Sequence, residues 1–177
     1  MKRVIYCFFA TVICLARICG CQPTPPRRAD CLFAPFRAEI AGEVRGVSFS
    51  AMLVGEGGEG TVEIAYLTPD ALSGVRVRAP LTADGSLGES AELSLGELSA
   101  QLPAEAAEGL LLPARILFSH AREDAATVQR TEEGYCFTFA DGVALSVSAE
   151  GVPLSVCAPD LSYQIVWWER QIGESAA

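Results

Sequence analysis

The sequence predicts an α+β domain that is mostly antiparallel β, and two observations lead to this prediction. Apolar and polar residues alternate with period two in most segments between residues 36 and 168, which is typical of strands with one buried face. One region, at about residues 103–119, has apolar side chains at helical spacing instead, at Leu110, Leu112, Ile116 and Leu117. The roughly 150 residues that follow the N-terminal segment suit one domain with a single core.

The first half of this domain is expected to contain strands at residues 36–41, 47–53, 61–67, 75–79 and 90–102, the last as one long strand. Residues 42–46 are expected to form a turn or a bulge between the first two strands. The glycine-rich segment GEGGEG invites comparison with a phosphate-binding loop, but such a loop must be followed by a helix. The strand TVEIAYL follows here, so the segment is expected to be a hairpin turn.

The helical region and a meander of strands make up the second half. Pro103 suits the first turn of a helix, and Pro113 is expected to kink or split that helix. His120, at the helix end, is expected to be a C-terminal cap or a solvated residue. Four strands are then predicted at residues 135–139, 143–148, 152–157 and 162–168, with an Asp-Gly hairpin turn after the first.

The predicted strand order of this meander has a consequence for two cysteines. The strand that begins at Val143 is expected to lie between those of Cys136 and Cys157, which separates them by roughly 10 Å. The Cα atoms of a disulfide lie within about 7 Å of each other, so we predict that these two thiols do not pair.

Trp167 and Trp168 are adjacent in a strand and are expected to face opposite sides of the sheet.

The N-terminus has the features of a targeting segment. Two basic residues precede an apolar run over residues 4–18, shorter than the roughly 20 residues of a membrane span. The following Ile18-Cys19-Gly20-Cys21 resembles the lipobox of bacterial lipoproteins. The resemblance implies cleavage after Gly20 and covalent attachment of a diacylglycerol or acyl lipid to Cys21. An uncleaved anchor helix or an ordinary cleaved signal remains the alternative.

This interpretation divides the chain into a lipoprotein signal peptide (1–20), a lipidated cysteine with a Pro/Arg tether (21–32), one β-rich domain (33–170) and a tail (171–177). The chain is then expected at the extracytoplasmic face of the cell membrane. Loss of residues 1–20 leaves 10 basic against 22 acidic residues, a net charge of −12, with no lysine. Nucleic acid is therefore not expected as a partner, because phosphate contacts need clustered basic residues.

The order of elements, with Ile64-Ala65-Tyr66-Leu67-Thr68-Pro69 and the later GVPLSV before an aromatic strand, resembles the lipoprotein-carrier-like (LolA/LolB-type) half-barrel superfamily. The resemblance implies a curved half-barrel sheet with the helical region packed on its concave face, and an apolar cavity within. By strand alternation, the candidate lining residues of that cavity are Phe49, Leu53, Ile64, Tyr66, Phe137 and Phe139.

We expect no catalysis, no resident cofactor and no metal. His120 is the only histidine, so it serves neither a zinc site nor an identifiable cysteine nucleophile, and the chain contains no Gly-x-Ser-x-Gly. Two hypotheses remain for a membrane-anchored lipoprotein. It binds a lipid-like or other apolar ligand in the half-barrel, or it is an interaction or sensor module with a filled core that binds an envelope protein.

Overall fold

The structure is a computed structural model that describes residues 24–27, 29–82 and 85–171. The predicted lipid site at Cys21, the cleavage position at Gly20 and the tail at 172–177 lie outside the described residues. The strands in the described part are β1 Phe36–Val44, β2 Val47–Gly55, β3 Thr61–Thr68, β4 Val75–Pro80, β5 Ser90–Leu95, β6 Leu98–Pro103, β7 Thr127–Arg130, β8 Gly134–Thr138, β9 Ala144–Ser148, β10 Pro153–Ala158 and β11 Leu161–Arg170.

All of these strands belong to one open antiparallel sheet. Their order is β6-β5-β4-β3-β2-β1-β11-β10-β9-β8-β7, so two meanders are joined where β1 pairs with β11. The predicted fold class, a curved half-barrel sheet with one helical region, is confirmed. The strand β9 separates Cys136 from Cys157, and both thiols are free, as predicted.

The helical region consists of a 3₁₀ turn, Ala104–Ala107, followed by the helix α2, Glu108–Ser119; a short helix α1, Ala29–Leu32, precedes the sheet. The predicted region at 103–119 is therefore confirmed. The expected split at Pro113 is wrong, because α2 is continuous through that residue. Pro113 lies in the second turn of α2. Because proline has no N–H, the helix lacks the backbone hydrogen bond that residue 113 would otherwise donate.

The single long strand predicted over residues 90–102 is also wrong. The chain reverses at Gly96-Glu97, and β5 and β6 form a hairpin in which Leu95 pairs with Leu98. Gly96 has a φ of 61°, a left-handed conformation that glycine adopts without steric cost. The exposed strand β7 was not predicted, because its four residues carry too little alternation to identify.

The turn between β1 and β2 is shorter than expected. Arg45 and Gly46 both have positive φ, 48° and 83°, as a two-residue type I′ hairpin turn requires. Gly42 instead lies within β1, where a Cβ atom would come 2.0 Å from the carbonyl oxygen of Ser162. The glycine therefore allows β1 and β11 to approach closely.

The helix α2 packs on the concave face of the sheet. Its inner side buries Leu111, Ala114, Leu117 and Phe118, each at most 1% exposed. Burial of one large apolar side chain contributes about 1.5–3 kcal/mol, so these contacts stabilise the helix strongly. The largest fully buried side chains all lie between residues 32 and 147, and the aromatic contacts extend to Trp168. A chain that begins at Gln22 therefore contains the whole described core.

The two tryptophans face opposite sides, as predicted. Trp168 stacks on Phe36 with ring centroids 4.3 Å apart, whereas Trp167 is 44% exposed. A bulge opposite Glu39 and Ile40 leaves Val166 as an extra, exposed residue of β11.

Candidate binding groove beside helix α2

The six predicted lining residues come together in one buried cluster on the concave face. Each is at most 4% exposed, and the cluster also contains Ala114, Leu117 and Phe118 of α2. None of the six lines a described cavity; they are Phe49, Leu53, Ile64, Tyr66, Phe137 and Phe139. The side chains of α2 therefore fill the space in which the sequence placed an apolar ligand.

Two tyrosines of the sheet hold α2 by its backbone. The hydroxyl of Tyr66 donates to the carbonyl oxygen of Leu110 at 2.8 Å, and that of Tyr163 donates to the carbonyl oxygen of Pro113 at 2.9 Å. Burial raises the pKa of Tyr66 to about 12 and that of Tyr163 further, because the phenolate is disfavoured away from water. Both phenols are thus neutral donors that fix the helix over the sheet.

Open space lies along the flank of α2 rather than beneath it. Two adjoining cavities of about 580 and 530 Å³ share the lining residues Arg45, Glu108 and Leu112. We call them together the α2 groove. One wall is α2, and the other is formed by the β1–β2, β8–β9 and β10–β11 turns. Its apolar lining consists of Val44, Val47, Leu112, Ile116, Val143, Ala158 and Pro159.

Two ion pairs lie in the lining of the α2 groove, which also contains Glu105. Arg45 contacts Asp160 at 3.5 Å, and Arg115 contacts Glu108. All four side chains are at least half exposed, and such pairs contribute little to stability. They are therefore available to exchange partners with a polar group of a ligand.

Gly109 adds a backbone acceptor to the groove lining. In an α-helix its carbonyl oxygen would accept from the residue four positions ahead, which is Pro113. Proline has no N–H, so the Gly109 oxygen lacks that helical donor. A hydroxyl or amide of a bound molecule is a suitable donor for it.

His120 closes one end of the groove and caps α2. Its ring is nearly buried, packs against Phe139 at 4.5 Å between centroids, and brings Nε2 within 3.1 Å of Asp141 Oδ2. Nδ1 lies 2.8 Å from the carbonyl oxygen of Ile116, which can only accept a hydrogen bond. The predicted capping role is confirmed, and the ring ties the end of α2 to the β8–β9 turn.

Ser119 also lies close to the same ring. Ser119 Oγ is 3.1 Å from His120 Nδ1 and 3.2 Å from the carbonyl oxygen of Ile116. The Ile116 carbonyl oxygen therefore competes with Ser119 Oγ for the same ring nitrogen. A main-chain hydrogen bond from Val143 is the main reason why the pKa of Asp141 is lowered, and it stabilises the turn.

A smaller cavity of about 350 Å³ lies on the opposite flank of α2, lined by Leu87, Leu111 and neighbouring polar groups. Across residues 24–27, 29–82 and 85–171, no three His, Cys, Asp or Glu side chains are grouped to hold a metal ion. Over the same ranges, no helix has both the length and the apolar character that a membrane crossing needs.

Leu112 and Ile116 are the groove residues that the sequence identified only as parts of a helix. Their spacing predicts a helix, whereas strand alternation predicts an inward apolar face on the sheet, and the ligand was expected at that face. An apolar stripe on α2 wider than the face it buries is the signal that points to the groove.

Comparisons with known proteins give a fold and no family. No family model matches the sequence, and no curated protein matches it. An uncharacterized conserved protein from Thermus thermophilus has a similar structure, with a TM-score of 0.53 and 14% identity over 82% of this chain and 83% of that one. At this identity the likeness shows a shared fold alone.

A second solved structure, the LolA superfamily protein NE2245 from Nitrosomonas europaea, aligns with 73% of this chain and 67% of that one. Its TM-score is 0.35 and its identity is 12%. At that TM-score the alignment adds nothing to the assignment. The conclusion from the comparisons is therefore that the open sheet with its helix is a fold that also occurs in a Thermus thermophilus protein.

Proposed function

We propose that the chain is a membrane-anchored extracytoplasmic lipoprotein that binds a lipid-like or other apolar molecule without catalysis. The lipobox at Ile18-Cys19-Gly20-Cys21 supports the anchor, with the lipid on Cys21. Two contacts bring residues of the proposed tether to the β9–β10 turn: Pro26 lies beside Gly151, whose Cβ, if present, would be 3.2 Å away, and the Cys31 thiol donates to the Gly151 carbonyl oxygen at 3.0 Å.

The α2 groove is the observation that supports binding. Its two cavities have volumes within the roughly 300–1,000 Å³ range of small-molecule sites, and such sites combine an apolar lining with a few polar groups. Leu112 and Ile116 supply apolar contacts, and the Gly109 carbonyl and Arg115 supply polar ones. The superfamily resemblance of the sequence agrees with a carrier of this kind.

The proposed ligand lies on the flank of α2 and not at the six buried residues inferred from the sequence. Phe49 and its neighbours become accessible only if α2 leaves the sheet, which breaks the Tyr66 and Tyr163 hydrogen bonds. The groove needs no such movement. The ligand site we propose therefore depends on Leu112 and Ile116 rather than on the buried cluster.

One observation favours a second candidate function. The concave face is filled by α2, as expected of an interaction or sensor module that binds an envelope protein. In that case the α2 groove receives a segment of a protein, and no lipid co-purifies. The two candidates differ in what the groove holds, so a direct mass measurement separates them.

Native mass spectrometry of residues 22–177, purified from a bacterial host and then mixed with palmitate or a phospholipid, tests the binding site. We expect a one-to-one adduct that L112E and I116E each reduce at least tenfold. V128E is the matched control, because Val128 is 44% exposed on β7 and away from the groove; it should bind normally. Absence of an adduct in every sample contradicts lipid binding, and equal binding by all variants contradicts the groove.

Metabolic labelling of the full chain with radioactive palmitate tests the anchor. Cys21→Ser should lose the label, whereas Cys19→Ser should retain it. Label that persists in Cys21→Ser contradicts attachment at this residue.

A further inference from the structure

The strand β6 leaves one side of its backbone without a partner in the described structure. It lies at the edge of the sheet and pairs only with β5. Edge strands are commonly protected by charged residues, by proline, by bulges or by a covering element; in β6 a proline occurs only at the last residue, Pro103. The strand itself, LSAQLP, contains no charge, although the chain has a net charge of −9. Leu98 at its start is 76% exposed.

The pairing with β5 determines which backbone groups point outward. The two-residue turn makes Leu95 and Leu98 a hydrogen-bonded pair, and such pairs alternate along an antiparallel ladder. The 2.8 Å bond from the Ala104 nitrogen to the Glu89 oxygen continues the same alternation. The N–H and C=O groups of Ser99 and Gln101 therefore point away from β5, to the free edge.

The side chains of β6 are arranged almost symmetrically about Ala100. The sequence Leu98-Ser99-Ala100-Gln101-Leu102 has leucine at both ends, polar residues next to them and a small residue at the centre. Leu102 pairs with the buried Ala91, so Leu98, Ala100 and Leu102 form an apolar row on the concave face. Ser99 and Gln101 lie on the other face.

We infer that β6 pairs antiparallel with β6 of a second copy of this chain, with the two-fold axis at Ala100. Ser99 then faces the partner's Gln101, and Gln101 faces the partner's Ser99. Each of these pairs exchanges two backbone hydrogen bonds, so the outward groups of both residues are satisfied. Leu98 packs against the partner's Leu102, which covers the exposed side chain.

The charges around β6 predict how the dimer responds to salt. The paired segments are neutral, so no charge is removed from water when they meet. Glu97 and Glu105 flank the strand, and antiparallel pairing brings Glu97 toward the partner's Glu105. Like charges at each end repel, and salt screens them. The dimer should therefore dissociate more readily at low ionic strength.

Disulfide trapping tests the register in residues 22–177. In a Cys157→Ser background, Ala100→Cys places two thiols across the axis in a non-hydrogen-bonded pair, whose Cα atoms are about 4.5 Å apart and within disulfide range. We expect mild oxidation to give a covalent dimer of Ala100→Cys and little dimer of the matched Gln101→Cys. Equal trapping of both variants, or of neither, would overturn the register.

Sedimentation equilibrium of the same protein tests the dimer itself. Gln101→Pro removes a donor that faces the partner and none that faces β5, because the Gln101 nitrogen is not used in the β5 ladder. We expect wild type and the control Gln101→Thr to be dimers, and Gln101→Pro to be a monomer with an unchanged far-UV circular dichroism spectrum; its melting temperature should be lower only by the part that dimerisation contributes. A monomeric wild type, or a dimeric Gln101→Pro, contradicts the inference.

Discussion

The hydrogen bond from Tyr163 to the Pro113 carbonyl predicts the cost of loosening α2 from the sheet. Tyr163 is 2% exposed, and its hydroxyl lies 2.9 Å from that oxygen. Tyr163→Phe removes the hydroxyl and keeps the ring, whose centroid is 6.3 Å from that of Phe49. A hydrogen bond of this kind contributes about 0.5–1.5 kcal/mol net.

The lower part of that range is expected for Tyr163→Phe. The Pro113 oxygen keeps the ladder donor of the residue four positions ahead in α2, so the substitution does not leave it unsatisfied. We expect the free energy of unfolding to fall by about 0.5–1 kcal/mol, which corresponds to about 1–4 °C in Tm for a chain of this size.

Equilibrium unfolding in urea measures this change, with Tyr66→Phe as the matched variant. Tyr66 makes the same type of bond three residues earlier in α2 and should cost a similar amount. An unchanged midpoint in both variants would refute the view that these phenols hold the helix. A loss above about 3 kcal/mol in either variant would mean that the ring itself repacks, as in core substitutions.

Three further predictions concern pH, thiol reactivity and glycine. The pKa of Tyr66 is about 12 in the folded chain and 10.0 unfolded; the unfolded state therefore loses its proton first, and stability measured by urea titration should fall between about pH 10 and 12. Burial raises the pKa of Cys31 to about 11, so iodoacetamide at pH 8 should modify the exposed Cys157 first, and mass spectrometry of timed samples will show the order. Gly42→Ala should lower the free energy of unfolding by more than about 2 kcal/mol, because the new Cβ atom meets the Ser162 oxygen. Gly109→Ala has open space around it and should stabilise α2 by about 0.5–1 kcal/mol. The melting temperatures of the two variants should therefore shift in opposite directions.

The sequence determined the fold class, most strands and the helical region of this protein. Alternation with period two is a local property, so residues 47–53 and 61–67 predict strands whatever their neighbours are. The order of the last four strands followed from their short turns, and with it the separation of Cys136 from Cys157. The hairpin of β5 and β6 was missed because its turn depends on the conformation of one glycine.

The tertiary structure alone decided where open space lies. Strand alternation identified Phe49, Tyr66 and four other residues as inward-facing, and all six do face inward. Whether an inward face is a cavity or a core depends on what packs against it, and α2 supplies side chains from a distant part of the sequence. The groove beside α2 and the free edge of β6 depend on tertiary structure in the same way. Each lies where no further element of the described chain packs, and that cannot be read from local sequence.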